Sequence, residues 1–343
     1  MANKILVTGG TGYIGSHTVV ELINAGFEVV IVDDLSNSLI SALDGIEKIT
    51  GEKIPFEEIN LCDRDKVKAL FKKHNDIKGI IHFAASKAVY DSVNNPLKYY
   101  RNNLVSLINL LDAQIEFNIP NIVFSSSCTV YGQPEKLPVT EDAPIQKAMS
   151  PYGNTKQICE EILQDTIKVN KQLKAIALRY FNPIGAHESA LIGELPLGVP
   201  DNLVPFITQT AIGIREEIKV FGSDYNTPDG SCIRDYIHVV DLAKAHVIAL
   251  KRMLENKTKA DYEYFNLGTG NGISVLEVIN SFEKVSGQKL NYKIVARRPG
   301  DIEKIWADTT FANNELGWKA EKTLDEMMLT AWNWEKNYRS QNK

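Results

Sequence analysis

Residues 4–15 read KILVTGGTGYIG. An apolar run passes straight into Gly9-x-x-Gly12-x-x-Gly15, and an amphipathic helical pattern, Ile14–Ala25, follows it. Few patterns restrict a fold as tightly. The glycines permit a tight strand-to-helix turn and close approach of another backbone, and the first N–H groups of the helix can receive a phosphate. A second apolar run then ends at Asp33. A carboxylate at that point can accept from both hydroxyls of a ribose and repels a 2′-phosphate. The combination predicts a bound dinucleotide, NAD rather than NADP.

The same rhythm continues. Runs rich in Val and Ile recur near Gly79, Asn121 and Leu173, without the strict alternation of a half-exposed strand. Strands buried on both faces of a parallel sheet read this way. Between them lie helical stretches such as Ser92–Phe117 and Pro151–Val169. The predicted fold is α/β, a doubly wound Rossmann-type parallel sheet over residues 1–180. A smaller mixed α/β domain is expected over residues 181–343, with the chain returning to the first domain around 236–266. The stretch FNPIGAHESALIGELPLGVPDN after Tyr180 is dense in Gly and Pro and reads as a long loop. A last strand is expected at Leu290–Val295. All four tryptophans fall between Trp306 and Trp334, so the C-terminal part is read as packed.

Composition excludes several classes. A formal net charge of -5 gives no electrostatic reason to expect nucleic acid. No apolar run approaches a membrane span, and the start MANKILVTGG lacks the regions of a signal peptide. Cys62, Cys128, Cys159 and Cys232 stand far apart, without metal-ligand spacing. Reduced thiols, no metal and a cytoplasmic setting are the expectation.

The stretch SPYGNTK places Tyr152 and Lys156 four positions apart, on one face of a helix. A tyrosine hydroxyl titrating at its unperturbed value of roughly 10 is a poor base at neutral pH. An ammonium one turn away, together with an oxidised nicotinamide, stabilises the phenolate. The pair therefore makes chemical sense beside NAD. Just before it, SSSCTVYG ends a predicted strand at the edge where a doubly wound sheet binds its ligand, and it presents Ser127 there. Ser127, Tyr152 and Lys156 are the candidate catalytic residues.

With those residues in view the chain resembles the extended short-chain dehydrogenase/reductases, and within them the UDP-glucose 4-epimerase family. The resemblance runs from KILVTGGTGYIGSH through HFAASKAVYDSVNNPLKYYRNN, SSSCTVYG, SPYGNTK, LRYFNPIGAH and DGSCIRDYIHVVDLAKAH to RRPGDIEKIWAD, nearly the whole chain. It implies reversible inversion at sugar C4 of UDP-glucose and UDP-galactose through a transient 4-keto sugar, with NAD tightly bound. It also implies a homodimer through the helices near Ser92–Phe117 and Pro151–Val169, and a UDP-sugar site in the second domain. Beside Gly9, Gly12 and Gly15, the residues implied for NAD are Tyr13, Ile14, Asp33, Asn37, Ser38, Asn60, Leu61, Phe83, Ala84, Lys87, Asn102 and Phe181, with Ser127, Tyr152 and Lys156. For the UDP-sugar they are Ser127, Tyr152, Asn182, Asn202, Leu203, Phe221, Arg234, Tyr236, Arg298, Asp301 and Ile305. Two arginines suit a diphosphate, because a planar guanidinium donates two bonds to it. Arg234 can equally be read as half of a salt bridge with Asp235.

The chain departs from the family at Asn60, where an aspartate usually accepts from the adenine amino group, at Tyr90, where a glycine is common, and at Ile305. In the family the residue before the tryptophan of WAD walls the sugar pocket near C2. Ile there is smaller than the Tyr that admits a hydroxyl alone and larger than the Cys or Ser that admits an N-acetyl group. Sugar-nucleotide 4,6-dehydratases carry an Asp-Glu pair where this chain has Cys128 and Thr129, which cannot do that acid/base work. Epimerases of UDP-glucuronate or UDP-N-acetylglucosamine stay open as alternatives, as does a non-catalytic NAD-sensing protein.

Overall fold

The structure is a computed structural model of the 343-residue chain and describes residues 2–298 and 301–341. The chain begins β1 (Lys4–Thr8), α1 (Tyr13–Asn24), β2 (Glu28–Asp33), α2 (Ala42–Thr50) and β3 (Phe56–Glu58). It continues α3 (Arg64–Lys73), β4 (Ile77–His82), α4 (Val89–Asn94), α5 (Pro96–Glu116) and β5 (Asn121–Ser127). Next come α6 (Pro151–Val169), β6 (Lys174–Tyr180), β7 (Asn182–Ile184), α7 (Leu203–Ala211) and β8 (Ile218–Phe221). Then follow β9 (Ile233–Arg234), β10 (Tyr236–His238), α8 (Val239–Leu254), β11 (Tyr262–Leu267) and β12 (Ile273–Ser274). The last elements are α9 (Val275–Ser286), β13 (Tyr292–Val295) and α10 (Leu324–Gln341).

Seven strands form one sheet in the order β11-β6-β5-β4-β1-β2-β3, parallel throughout. Successive side chains on a strand point to opposite faces, and both faces are buried here. Ile5, Val7, Ile31, Val123, Ile176 and Leu178 pack on one side with Val19 and Val20 of α1 and Leu242 and Ala249 of α8. Leu6, Val30, Val32, Ile80, Ile122 and Phe124 pack on the other with residues of α3, α5 and α6. This double burial is why the strands lack alternation. The edge strand β11 comes from residues 262–267 and pairs in register with β6, Phe265 opposite Leu178.

A further core gathers Val204 and Ile207 of α7, Ile218 and Val220 of β8, Ile279 and Phe282 of α9, and Met328 and Trp332 of α10. The helix expected over Ser92–Phe117 is instead two helices, α4 and α5, broken at Asn95. Pro96 is the cause: it lacks an N–H and restricts the residue before it, so it closes one helix and opens the next. The expected last strand is shorter, Tyr292–Val295, and pairs with β8. Among the described residues no helix is long and apolar enough to cross a membrane.

Candidate functional site

The C-terminal ends of the sheet strands open into a cleft of about 1140 Å³, where a doubly wound sheet takes its ligand. All of the candidate catalytic, cofactor and substrate residues line it, from Gly9 to Ile305. One wall carries the glycine turn. Gly9 has φ +71° and a Cβ there would lie 2.8 Å from the Ala84 nitrogen. A Cβ on Gly15 would lie 2.1 Å from the Gly9 carbonyl oxygen. Gly12 has no such clash beyond a 3.1 Å approach to that oxygen, and it caps α1 with extended backbone. The turn is therefore closed to larger residues by its own packing, and the start of α1 is left open to an anion.

Asp33 ends β2, nearly buried. Its carboxylate accepts from the Leu35 N–H at 3.0 Å, the Ser38 hydroxyl at 3.0 Å and the Thr11 N–H at 3.3 Å. A group so fixed stays where a ribose would meet it, and its charge disfavours a second phosphate there. Next to it the Asn60 amide donates to Asp34 at 2.9 Å and its oxygen takes the Cys62 N–H at 2.8 Å. Asn60 can thus accept only through its remaining lone pair, whereas Asp34 brings a carboxylate to the same end of the cleft. Asp34 carries no signal in the sequence beyond adjacency. Tyr90 is 64% exposed at the mouth of the cleft; nothing in the structure explains it.

The SPYGNTK stretch is the first turn and a half of α6. Ser150 caps it by accepting from the Gly153 N–H at 3.1 Å, and Pro151 occupies the first helical position. Tyr152 and Lys156 point from that turn towards the end of β5. Lys156 is 4% exposed, donates to the Ser125 carbonyl at 2.6 Å and lies 5.9 Å from the centroid of the Tyr152 ring. Burial pulls its ammonium down to about 8, against an upward pull from Cys159 and Glu160. Burial pushes the Tyr152 hydroxyl well above the ordinary tyrosine range; Tyr180 adds to this, and a hydrogen bond with Ser127 opposes it. The sequence suggests that Lys156 supplies part of the stabilisation of the phenolate, with an oxidised nicotinamide supplying a second positive charge. In the protein by itself desolvation outweighs that, because the ammonium is directed at a carbonyl and not at the phenol oxygen. Ser125 and Tyr180 are hydrogen-bonded to each other through their hydroxyls; the sequence does not single them out, because strand residues facing inward carry no local mark of chemistry.

The opposite wall comes from the second half of the chain. Cys232, Arg234 and Tyr236 face the cleft at alternate positions, as an extended segment requires. Arg234 donates to the Ile233 carbonyl at 2.8 Å and makes no ion pair with Asp235, whose carboxylate takes backbone N–H groups instead. The salt-bridge reading of Arg234 is set aside on that geometry. Arg298 pairs with Asp301 at 2.8 Å and lies over the Phe221 ring, 5.2 Å from its centroid. Pro299 and Gly300 of the same motif lie outside the described residues. Asn202 stands before α7 with Leu203 as its first residue. Ile305 is 3% exposed and packs with Val130, Tyr131, Val139 and Phe181. Glu194, from the Gly/Pro-rich loop, joins the two walls: one oxygen accepts from Asn202 at 2.6 Å and lies 3.5 Å from the Lys87 ammonium. A loop without periodicity hides such a residue from sequence reasoning.

A family model described as GDP-mannose 4,6 dehydratase matches residues 6–330. A UDP-glucose 4-epimerase of Bacillus subtilis is 52% identical over 331 residues, covering 96% of each chain. The chain belongs to the UDP-glucose 4-epimerase family. Solved structures of this family superpose closely. The UDP-glucose-4-epimerase of Stenotrophomonas maltophila, with bound NAD and formylated UDP-arabinopyranose, has a TM-score of 0.95 at 46% identity, covering 99% of this chain and 100% of that one. The Bifidobacterium longum UDP-glucose 4-epimerase, in complex with NAD+ and UDP, has a TM-score of 0.94 at 45% identity, covering 98% and 99%. The dehydratase description of the family model does not carry over to the chemistry, since Cys128 and Thr129 provide no carboxylate pair. Among the described residues no cluster of His, Cys, Asp and Glu could hold a metal ion.

Proposed function

We infer that the protein interconverts UDP-glucose and UDP-galactose by inverting sugar C4 while NAD stays bound. The observation that carries this is the meeting of Ser127, Tyr152 and Lys156 at the end of β5, in one cleft with the glycine turn on one side and Arg234 on the other. When bound, oxidised NAD would supply the acceptor and later donor of the C4 hydride, and a positive charge beside the phenol. Tyr152 is read as taking the proton of the 4-hydroxyl and giving it back on the opposite face. Ser127, hydrogen-bonded to Tyr152, would hold the sugar oxygen and steady that proton. Lys156, held by Ser125, keeps a cation in the site at neutral pH.

Phe83, Ala84, Asn102 and Phe181 would border the middle of NAD. Arg234 and Arg298 would take the diphosphate of the sugar nucleotide, and Asn182, Asn202, Leu203, Phe221, Tyr236, Asp301 and Ile305 its remaining parts. Burial of the reacting groups supports the reading, because water must be kept from the oxidised sugar. We also read the chain as a cytoplasmic homodimer. Exposed Leu97 and Ile108 on α5 favour a second copy, and the four free cysteines favour a reducing compartment.

The test is conversion of UDP-galactose to UDP-glucose by purified protein without added cofactor. Turnover with no net consumption of NAD supports the reading. No turnover by protein that still carries NAD overturns it.

A further inference from the structure

Asp235 lies between two residues of the cleft wall but does not face the cleft, and its side chain is 0% exposed. One carboxylate oxygen accepts from the Thr269 N–H at 2.8 Å and the Thr269 hydroxyl at 2.7 Å. The other accepts from the Gly270 N–H at 3.1 Å and the Ala307 N–H at 3.1 Å. Four donors from two segments meet on one carboxylate, and no cation does so among the described residues. A buried carboxylate without a counter-ion is costly unless oriented donors surround it. A Cβ on Gly268 would lie 2.3 Å from one of the oxygens, so the loop is closed down onto the acid.

These donors are not scattered through the fold. Ala307 follows Ile305 by two residues, and Ile305 itself donates its N–H to the Ile233 carbonyl at 3.1 Å. Ile233 donates in turn to the Glu303 carbonyl at 3.0 Å. The backbone oxygen of Asp235 accepts from the Asn182 N–H at 3.0 Å. Asp235 is thus the joint of three cleft-bearing segments: its own, with Arg234 and Tyr236, the 303–307 segment with Ile305, and the one that begins at Asn182.

We propose that Asp235 is a positioning residue for the sugar-nucleotide end of the cleft, fixing the spacing between Arg234 and Ile305. The proposal rests on the epimerase reading above. An amide in its place keeps the size but aims N–H groups at N–H groups on one side, so the 305–307 segment loosens while the sheet, the glycine turn and Tyr152 stay as they are. The pocket then widens next to Ile305, and Arg234 loses its fixed distance to it.

The experiment uses purified holoprotein carrying Asp235→Asn. NAD content and the pH profile of turnover should match the native protein. KM for UDP-galactose and the dissociation constant of UDP should each rise about tenfold, the loss expected for hydrogen bonds to a charged group. The ratio of kcat/KM for UDP-N-acetylglucosamine over UDP-glucose should rise about tenfold, at the lower end of pocket discrimination by small groups. A purely structural carboxylate would lower Tm and leave these three quantities unchanged, which overturns the proposal. If Asp235→Asn does not yield folded protein, Thr269→Val removes one of the four donors, and the same shifts should appear at smaller size; their absence overturns the proposal equally. UDP binding is read by calorimetry, so a native protein that binds UDP but turns over no UDP-galactose would refute the epimerase reading while leaving this measurement intact.

Discussion

Lys156 donates to the backbone carbonyl of Ser125 at 2.6 Å while its ammonium stands 5.9 Å from the centroid of the Tyr152 ring. The cation is thus anchored to the end of β5, and its effect on Tyr152 is exerted through space. The two residues have separable tasks.

Tyr152→Phe keeps the ring and removes the proposed proton acceptor. Turnover should fall about 100-fold or more while UDP and NAD still bind. Steady-state rates with UDP-galactose and calorimetry with UDP check this; a loss of both binding and rate would assign the tyrosine to binding.

Lys156→Met removes a charge whose folded value is near 8, well below its ordinary 10.5. Between about pH 8 and 10.5 the folded protein binds fewer protons at this group than the unfolded chain, so its contribution makes stability rise with pH across that window. The variant should lose that slope, and its cofactor-free Tm at pH 7 should be no lower than native. Its activity should fall, and the rising limb of the pH–rate profile should move to higher pH, because the tyrosine loses a cation. Melting curves and rates from pH 6 to about 10 measure both effects.

Glu160 and Arg179 form a buried ion pair at 2.5 Å, with Ser126, Tyr131 and Tyr262 satisfying their other bonds. Glu160→Gln leaves Arg179 without its counter-charge and should cost about 3–5 kcal/mol of stability. Denaturant midpoints at unchanged slope would show it. Because Glu160 lies one turn beyond Lys156 on α6, KM should change little in the fraction that is folded.

Gly15→Ala would place a methyl group 2.1 Å from the Gly9 carbonyl oxygen. The turn must then open, and the protein should purify with much less NAD than the native chain. Asp33 predicts that whatever cofactor is extracted is NAD; recovery of NADP would contradict the reading of β2.

Ile305, proposed to wall the sugar pocket, is packed among Val130, Tyr131 and Phe181. Overpacking by an acetamido group there costs about 1–3 kcal/mol, roughly a 10- to 100-fold bias against the N-acetylated pair. Ile305→Tyr should abolish that weak activity and Ile305→Ser should raise it. Equal native rates on both pairs would show that Ile305 is not the wall.

Much of this was open to reading along the chain, because the forces involved act between near neighbours. A glycine turn between strand and helix, the acid ending β2, the Ser150–Pro151 start of α6 and the four-residue spacing of Tyr152 and Lys156 are all local patterns. They reflect backbone sterics, capping and helix period. The part of the cleft from the second half of the chain is legible only through family resemblance, since nothing local tells Arg234, Arg298 or Ile305 that they will line one cleft with Tyr152. That was decided when β11 paired with β6 and the C-terminal core closed around α7, α9 and α10. The same holds for Asp235, Glu194 and Ser125. A charge next to an arginine looks like a salt bridge, and a loop acid looks like a solvated one, until long-range backbone pairing surrounds the first with N–H groups and lays the second between Lys87 and Asn202. Pairings across a hundred residues depend on how buried faces and strand edges are matched over the whole molecule, and no window of sequence contains that matching.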